Sequence, residues 1–76
     1  MDIKLAIGNR IKELRNQTGL SQEEFADLAN IDRTYVTRLE TGRRNVTICS
    51  LQKVIKALNT SYSDFFDHPS FKDNGL

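Results

Sequence analysis

SQEEFADLANIDRTYVTRLETG, residues 21–42, carries two helical signals with a corner between them. Ser21 followed three residues later by Glu24 is a capping box, in which side chains and backbone satisfy each other's free groups at a helix start. Phe25, Leu28 and Ala29 then recur at helical spacing and form the expected buried stripe. Asn30 interrupts the pattern after about two turns. A sharp corner needs a residue that tolerates positive φ, and Asn does so better than any other common residue except Gly. Asp32 is placed to cap the next helix, which the spacing predicts from about Arg33 to Thr41, with Gly42 ending it.

The same periodicity extends outward on both sides. Ile3, Ile7, Ile11 and Leu14 fall on one face of a first helix that Gly19 stops. Thr47 caps a fourth helix with Ile48, Leu51, Ile55 and Leu58 on one side. Ser61 and Asp64 open a last short helix carrying Tyr62, Phe65 and Phe66, and Pro69 marks the end of regular structure. No segment alternates with period two, and there is no repeat, linker or low-complexity tract. The expectation is an all-α, compact five-helix domain over residues 1–76, with its central helix pair at about 21–41 and a loose tail at 67–76.

Seventy-six residues lie near the lower end of what folds alone, and the core is small, with 38% hydrophobic residues, 8% aromatics and no Trp. Such a domain gains from a disulfide, a metal or a second copy. Cys49 is the only cysteine, so no bridge forms within the chain, and Cys49 with His68 supplies too few ligands for structural zinc. No cofactor or metal is expected, and a homodimer is the remaining route. Tyr62, Phe65 and Phe66 are the candidate dimer interface, since so little chain is available to cover them. Cys49 is read as a small buried or interface side chain rather than a redox sensor. Asp64, Asp67 and His68 have a metal-like spacing, but one His beside a tail is more often solvated. No apolar run exceeds Leu5-Ala6-Ile7, which leaves neither a membrane span nor a signal peptide and makes the cytoplasm the default location. With one His and one Cys, no catalytic set stands out, and the chain is not expected to be an enzyme or to hold a small-molecule ligand.

Net charge is +1, but its distribution is uneven: four arginines stand against one glutamate between residues 33 and 45. On the helix at 33–41, Val36 and Leu39 face one side, while Thr34, Thr37, Arg38 and Thr41 face the other, with Arg33 at its edge. A merely wet face would carry Glu, Lys and Gln, which favour the helix more than β-branched Thr does. Arg bonds guanine O6 and N7 in a fork, and Thr bonds base edges or touches a thymine methyl. Arg33, Thr34, Thr37 and Arg38 are therefore candidate base contacts. Arg43, Arg44 and Asn45, in the loop after Gly42, are candidates for DNA phosphates, as is Gln22 at a helix start rich in free N–H groups. Tyr35, on the shoulder, would reach the backbone or a deformable step.

SQEEFADLANIDRTYVTRLETG resembles the helix-turn-helix of the phage repressor and Cro-like (XRE) family, with Gln22, Ala26, Val36, Leu39, Glu40 and Gly42 on its pattern. The flanking LRNQTGLSQ extends the resemblance to about residues 5–66. It implies a sequence-specific regulator of transcription in which Gln22 meets a phosphate, Arg33, Thr34, Thr37 and Arg38 reach bases, and Arg43, Arg44 and Asn45 touch backbone. It also implies an ion pair between Arg15 and Glu40. Two positions depart from the pattern: Asn30 stands where Gly is common, and Tyr35 is larger than the usual Ser or Gln. DRTYVTRLETGRRN is similar to the small controller proteins of restriction–modification systems. That implies a homodimer on a near-palindromic double-stranded operator, with RNA polymerase a further partner if it activates. The alternative is an antitoxin that masks a toxin and regulates its own operon.

Overall fold

A computed structural model describes residues 2–72 of the chain. Its elements are α1 (Ile3–Thr18), α2 (Gln22–Ala29), α3 (Arg33–Glu40), α4 (Ile48–Ala57), α5 (Tyr62–Phe66) and a 3-10 turn (Pro69–Phe71). There is no strand among the described residues, and no helix there is long and apolar enough to cross a membrane. The caps explain most boundaries. Asp2 accepts from the Lys4 and Leu5 N–H groups, Thr47 from Ser50, and Ser61 from Asp64. Ser21 and Glu24 form both halves of the capping box. Asp32 stands at the N-cap position of α3 in extended backbone, but its side chain makes no capping bond. The capping role read from the sequence is not realised, and no Asp32 side-chain bond occupies the first amides of α3.

Three helices end in the same way. Asn30, Gly42 and Asn59 all have positive φ, at 56°, 72° and 54°. At each, the left-handed residue and its successor donate back to two carbonyls of the last turn: Asn30 and Ile31 to Asp27 and Ala26, Gly42 and Arg43 to Leu39 and Arg38, Asn59 and Thr60 to Lys56 and Ile55. The first of these aims α3. The second fixes the direction in which Arg43 leaves it.

Ile11, Phe25, Ala26, Val36, Leu39, Val54, Ile55, Leu58 and Phe65 form one buried cluster to which all five helices contribute. α1 and α3 meet backbone to backbone at Gly8, where an added Cβ would lie 2.1 Å from the Leu39 carbonyl oxygen. That approach is closed to any larger residue.

The structure corrects several expectations of burial. Leu28 is 62% exposed. At about 100° per residue, Phe25, Ala29 and Ala26 span the covered arc of α2 and Leu28 falls beyond its edge. Ile3 and Ile48, at 50% and 87% exposure, sit on the first turns of their helices and overhang the core, whereas Val54 takes a fully buried place in α4. Cys49 is exposed in the single chain, which removes the buried reading of it and leaves the interface one. The segment after Phe66 is not a loose tail as far as it is described. Pro69–Phe71 forms a turn, Phe71 packs against the core, and Phe66 lies edge-on to Phe71 with centroids 5.0 Å apart. Residues 73–76 lie outside the described residues.

Candidate nucleic-acid interface

The outer side of α3 and the loop after it form an open groove of about 500 Å³ lined by Arg33, Thr34, Thr37, Arg38, Thr41 and Arg43. Val36 and Leu39 are buried on the opposite side, so the helix is anchored by its apolar face and presents the polar one. Among the described residues, no hydrogen bond or ion pair ties the side chains of Arg33, Arg38 or Arg43. The arginines elsewhere behave differently. Arg10 donates to the Phe65 and Asp64 carbonyls at 2.8 and 2.7 Å, fastening α5 to α1. Arg15 donates to both Glu40 oxygens, Nε to Oε2 at 2.6 Å and Nη2 to Oε1 at 3.0 Å, and to the Leu20 carbonyl at 2.8 Å.

Both partners of the Arg15–Glu40 pair are buried, and among the described residues no buried side-chain nitrogen or oxygen lacks a partner. The hydrogen bond to Glu40 raises the Arg15 pKa above its usual value; burial opposes this and the charge of Glu40 adds to it. Gln22 joins the same network: its Nε2 donates to Glu40 Oε1 at 3.1 Å, and its Oε1 accepts from Thr37 at 2.9 Å. The Gln22 side chain thus turns toward α3, and only its position at the head of α2 matches the phosphate role expected of it.

Tyr35 is half-buried against the core. Its ring lies under the Arg44 guanidinium, 5.1 Å from centroid to Cζ, and its hydroxyl points at the Asn45 carbonyl at 3.5 Å. The tyrosine therefore holds the loop of Arg43, Arg44 and Asn45 in place behind α3. Thr41, on the groove wall, belongs with the expected site residues although the sequence assigned it no contact; its position on the outer face was the available signal. Arg10 gave no such signal, because its acceptors are carbonyls more than fifty residues away.

Of the three aromatics expected at a two-fold interface, Phe65 is corrected. It has no accessible surface in the single chain and stacks edge-on with Phe66 at 5.0 Å. Tyr62 and Phe66 remain on the surface, at 56% and 37% exposure.

Two short helices joined at a tight corner, the second buried on one side and basic on the other, make a helix-turn-helix. The chain belongs to the helix-turn-helix family of the phage-repressor (XRE) type, whose family model, "Helix-turn-helix", matches residues 11–65. It is similar to the control protein C.MunI of Mycoplasma sp, with 44% identity over 66 residues covering 86% of this chain and 89% of that one. The fold is similar to the restriction-modification controller protein C.AhdI from Aeromonas hydrophila, with a TM-score of 0.79, 40% identity and coverage of 83% and 91%. It is equally similar to the controller protein C.Esp1396I, solved as a tetramer in complex with its natural 35 base-pair operator (TM-score 0.81, 38% identity, 84% of each chain).

Proposed function

We propose that this protein is a sequence-specific, double-stranded-DNA-binding transcription regulator of the restriction–modification controller type, acting as a homodimer on a near-palindromic operator. The observation that carries the reading is the row of Arg33, Arg38 and Arg43, unpaired among the described residues and lining one open groove on a rigidly anchored helix. An arginine that stabilised the monomer would be paired, as Arg10 and Arg15 are. Arg33, Thr34, Thr37 and Arg38 would read base edges, and Arg43, Arg44 and Asn45 would hold phosphates, with Tyr35 bracing the loop. The head of α2 at Gln22 would take a further phosphate on its backbone N–H groups. Tyr62 and Phe66 would supply the apolar centre of the two-fold contact. The family is one of DNA-binding regulators rather than enzymes, and the solved operator complex of a relative supports the duplex as ligand. These comparisons favour the controller reading over the antitoxin one.

Selection of sites from random duplexes tests the proposal. The expected result is a near-palindrome whose half-sites lie about one helical turn (~34 Å) apart. Recovery of no preferred duplex, even at low salt where phosphate contacts are strongest, would overturn it.

A further inference from the structure

The Gln22–Thr37 contact fixes something that a list of groove residues does not: which way a hydroxyl proton points. Glu40, paired through both oxygens with Arg15, can only accept, so the Gln22 amide must turn its NH₂ toward Glu40 and its carbonyl toward Thr37. Thr37 Oγ1 carries a single proton. Its two neighbours, Gln22 Oε1 at 2.9 Å and the Arg33 carbonyl at 3.2 Å, are both pure acceptors. The shorter contact, Gln22 Oε1, takes the proton in preference to the more distant Arg33 carbonyl, so the proton is held inward and the hydroxyl faces the groove with a lone pair. Thr37 lines that groove and is exposed.

We propose that Thr37 is a specificity-determining residue that accepts a hydrogen bond from an exocyclic amino group, adenine N6 or cytosine N4, and that Gln22, oriented by Glu40, is the positioning residue that sets this polarity. A thymine O4 or guanine O6 at the same place would meet lone pair with lone pair. The inference rests on the duplex-DNA reading above and goes beyond it by assigning the chemistry of one base contact.

The test begins with the site selected by the unaltered protein. Selection repeated with Thr37→Val marks the position that the hydroxyl governs, because preference there relaxes. At that position 2-aminopurine in place of adenine, or pyrimidin-2-one in place of cytosine, deletes the amino group from the major-groove edge. Loss of the amino group should weaken binding of the unaltered protein about tenfold, the scale of one lost hydrogen bond, and Thr37→Val should lose little more. A thiocarbonyl in the partner base should change affinity less than about twofold. Gln22→Leu leaves only the longer contact, to the Arg33 carbonyl, to hold the proton inward, so the hydroxyl turns more readily and its amino-group dependence should fall below about threefold while thermal unfolding reports an intact fold. Dependence on the carbonyl instead of the amino group, dependence on neither, or no position that relaxes in Thr37→Val would overturn the assignment of Thr37. An undiminished amino dependence in Gln22→Leu would overturn the positioning role. These outcomes differ from failure of the DNA reading itself, in which no site is recovered at all and both proposals fall.

Discussion

The two faces of α3 put the same chemistry to opposite uses. On the inner side, which also carries the buried Val36 and Leu39, the charge of Glu40 is held by Arg15 and Gln22, with every buried polar side-chain atom among the described residues partnered. On the outer side, Arg33, Arg38 and Arg43 stand in solvent with nothing among the described residues to pair them. A guanidinium left unpaired on a small, marginally stable domain gives little to its folding, whereas a buried pair is costly to break. The difference teaches that the helix is divided by neighbours, not by residue type. Substitutions on the inner face should be read out as stability, and those on the outer face as affinity.

The inner face should give the largest effects. Glu40→Ala leaves Arg15 buried without its counter-charge and removes a partner from Gln22, which should cost about 3–5 kcal/mol. In a domain of this size that lowers Tm by more than about 10 °C. Replacing both charges together, Arg15→Met with Glu40→Leu, should recover most of the stability, since well-packed apolar groups often match a buried pair. If the double variant were no more stable than Glu40→Ala in urea unfolding, the pair would be more than a satisfied charge. Gly8→Ala attacks the same face from α1, forcing a methyl group against the Leu39 carbonyl, and should cost about 3 kcal/mol as the helices separate. A Tm within 2 °C of the parent (about 0.5 kcal/mol at most) would show that α1 and α3 do not meet as closely as described.

The outer face should respond in the other observable. Arg38→Ala should leave stability within about 0.5 kcal/mol, cost about 1–3 kcal/mol of affinity on the preferred site, and relax one base position. Arg43→Ala should weaken all duplexes alike and reduce the slope of log affinity against log salt by about one. Uniform losses from both variants in a binding-site selection would erase the division into base readers and phosphate anchors.

Much of this division is visible in the sequence because it depends on local rules. The corner at Asn30, the end at Gly42 and the 100° spacing of Val36, Leu39, Thr37 and Arg38 require only neighbouring residues. The Arg15–Glu40 pair came through family resemblance, since nothing local joins residues twenty-five apart. What local rules could not supply was tertiary geometry. Gly8 looks like an ordinary weak point of a helix until α3 lies against it, and Arg10 looks like a surface cation until α5 presents its carbonyls. Leu28 and Ile48 obey helical spacing yet miss the core, because short helices cover only a narrow arc. Phe65 reads as a dimer-interface residue because the sequence does not show that this chain encloses it completely.

The smallest expected effect lies at the start of α2 and separates capping from charge. Bonds from the Ser21 backbone and side chain hold the Glu24 carboxyl below its usual pKa of 4.5. The folded state therefore binds this proton less readily than the unfolded chain does. Its contribution to stability is fully present above the usual carboxylate range and is lost as pH falls through that range and below it. Gln at position 24 can still accept from the Ser21 N–H, so Glu24→Gln should change stability near neutrality only slightly, by the loss of a negative charge in the first turn. Below about pH 4.5 the variant should lose stability less steeply than the parent, because one titrating group has been removed. Thermal unfolding from pH 6 to pH 3 measures both limbs (~4.5 marks their boundary). Parallel acid limbs would mean that the box acts through its hydrogen bonds alone, and the short helix that positions Gln22 and Thr37 would then be insensitive to acid at this end.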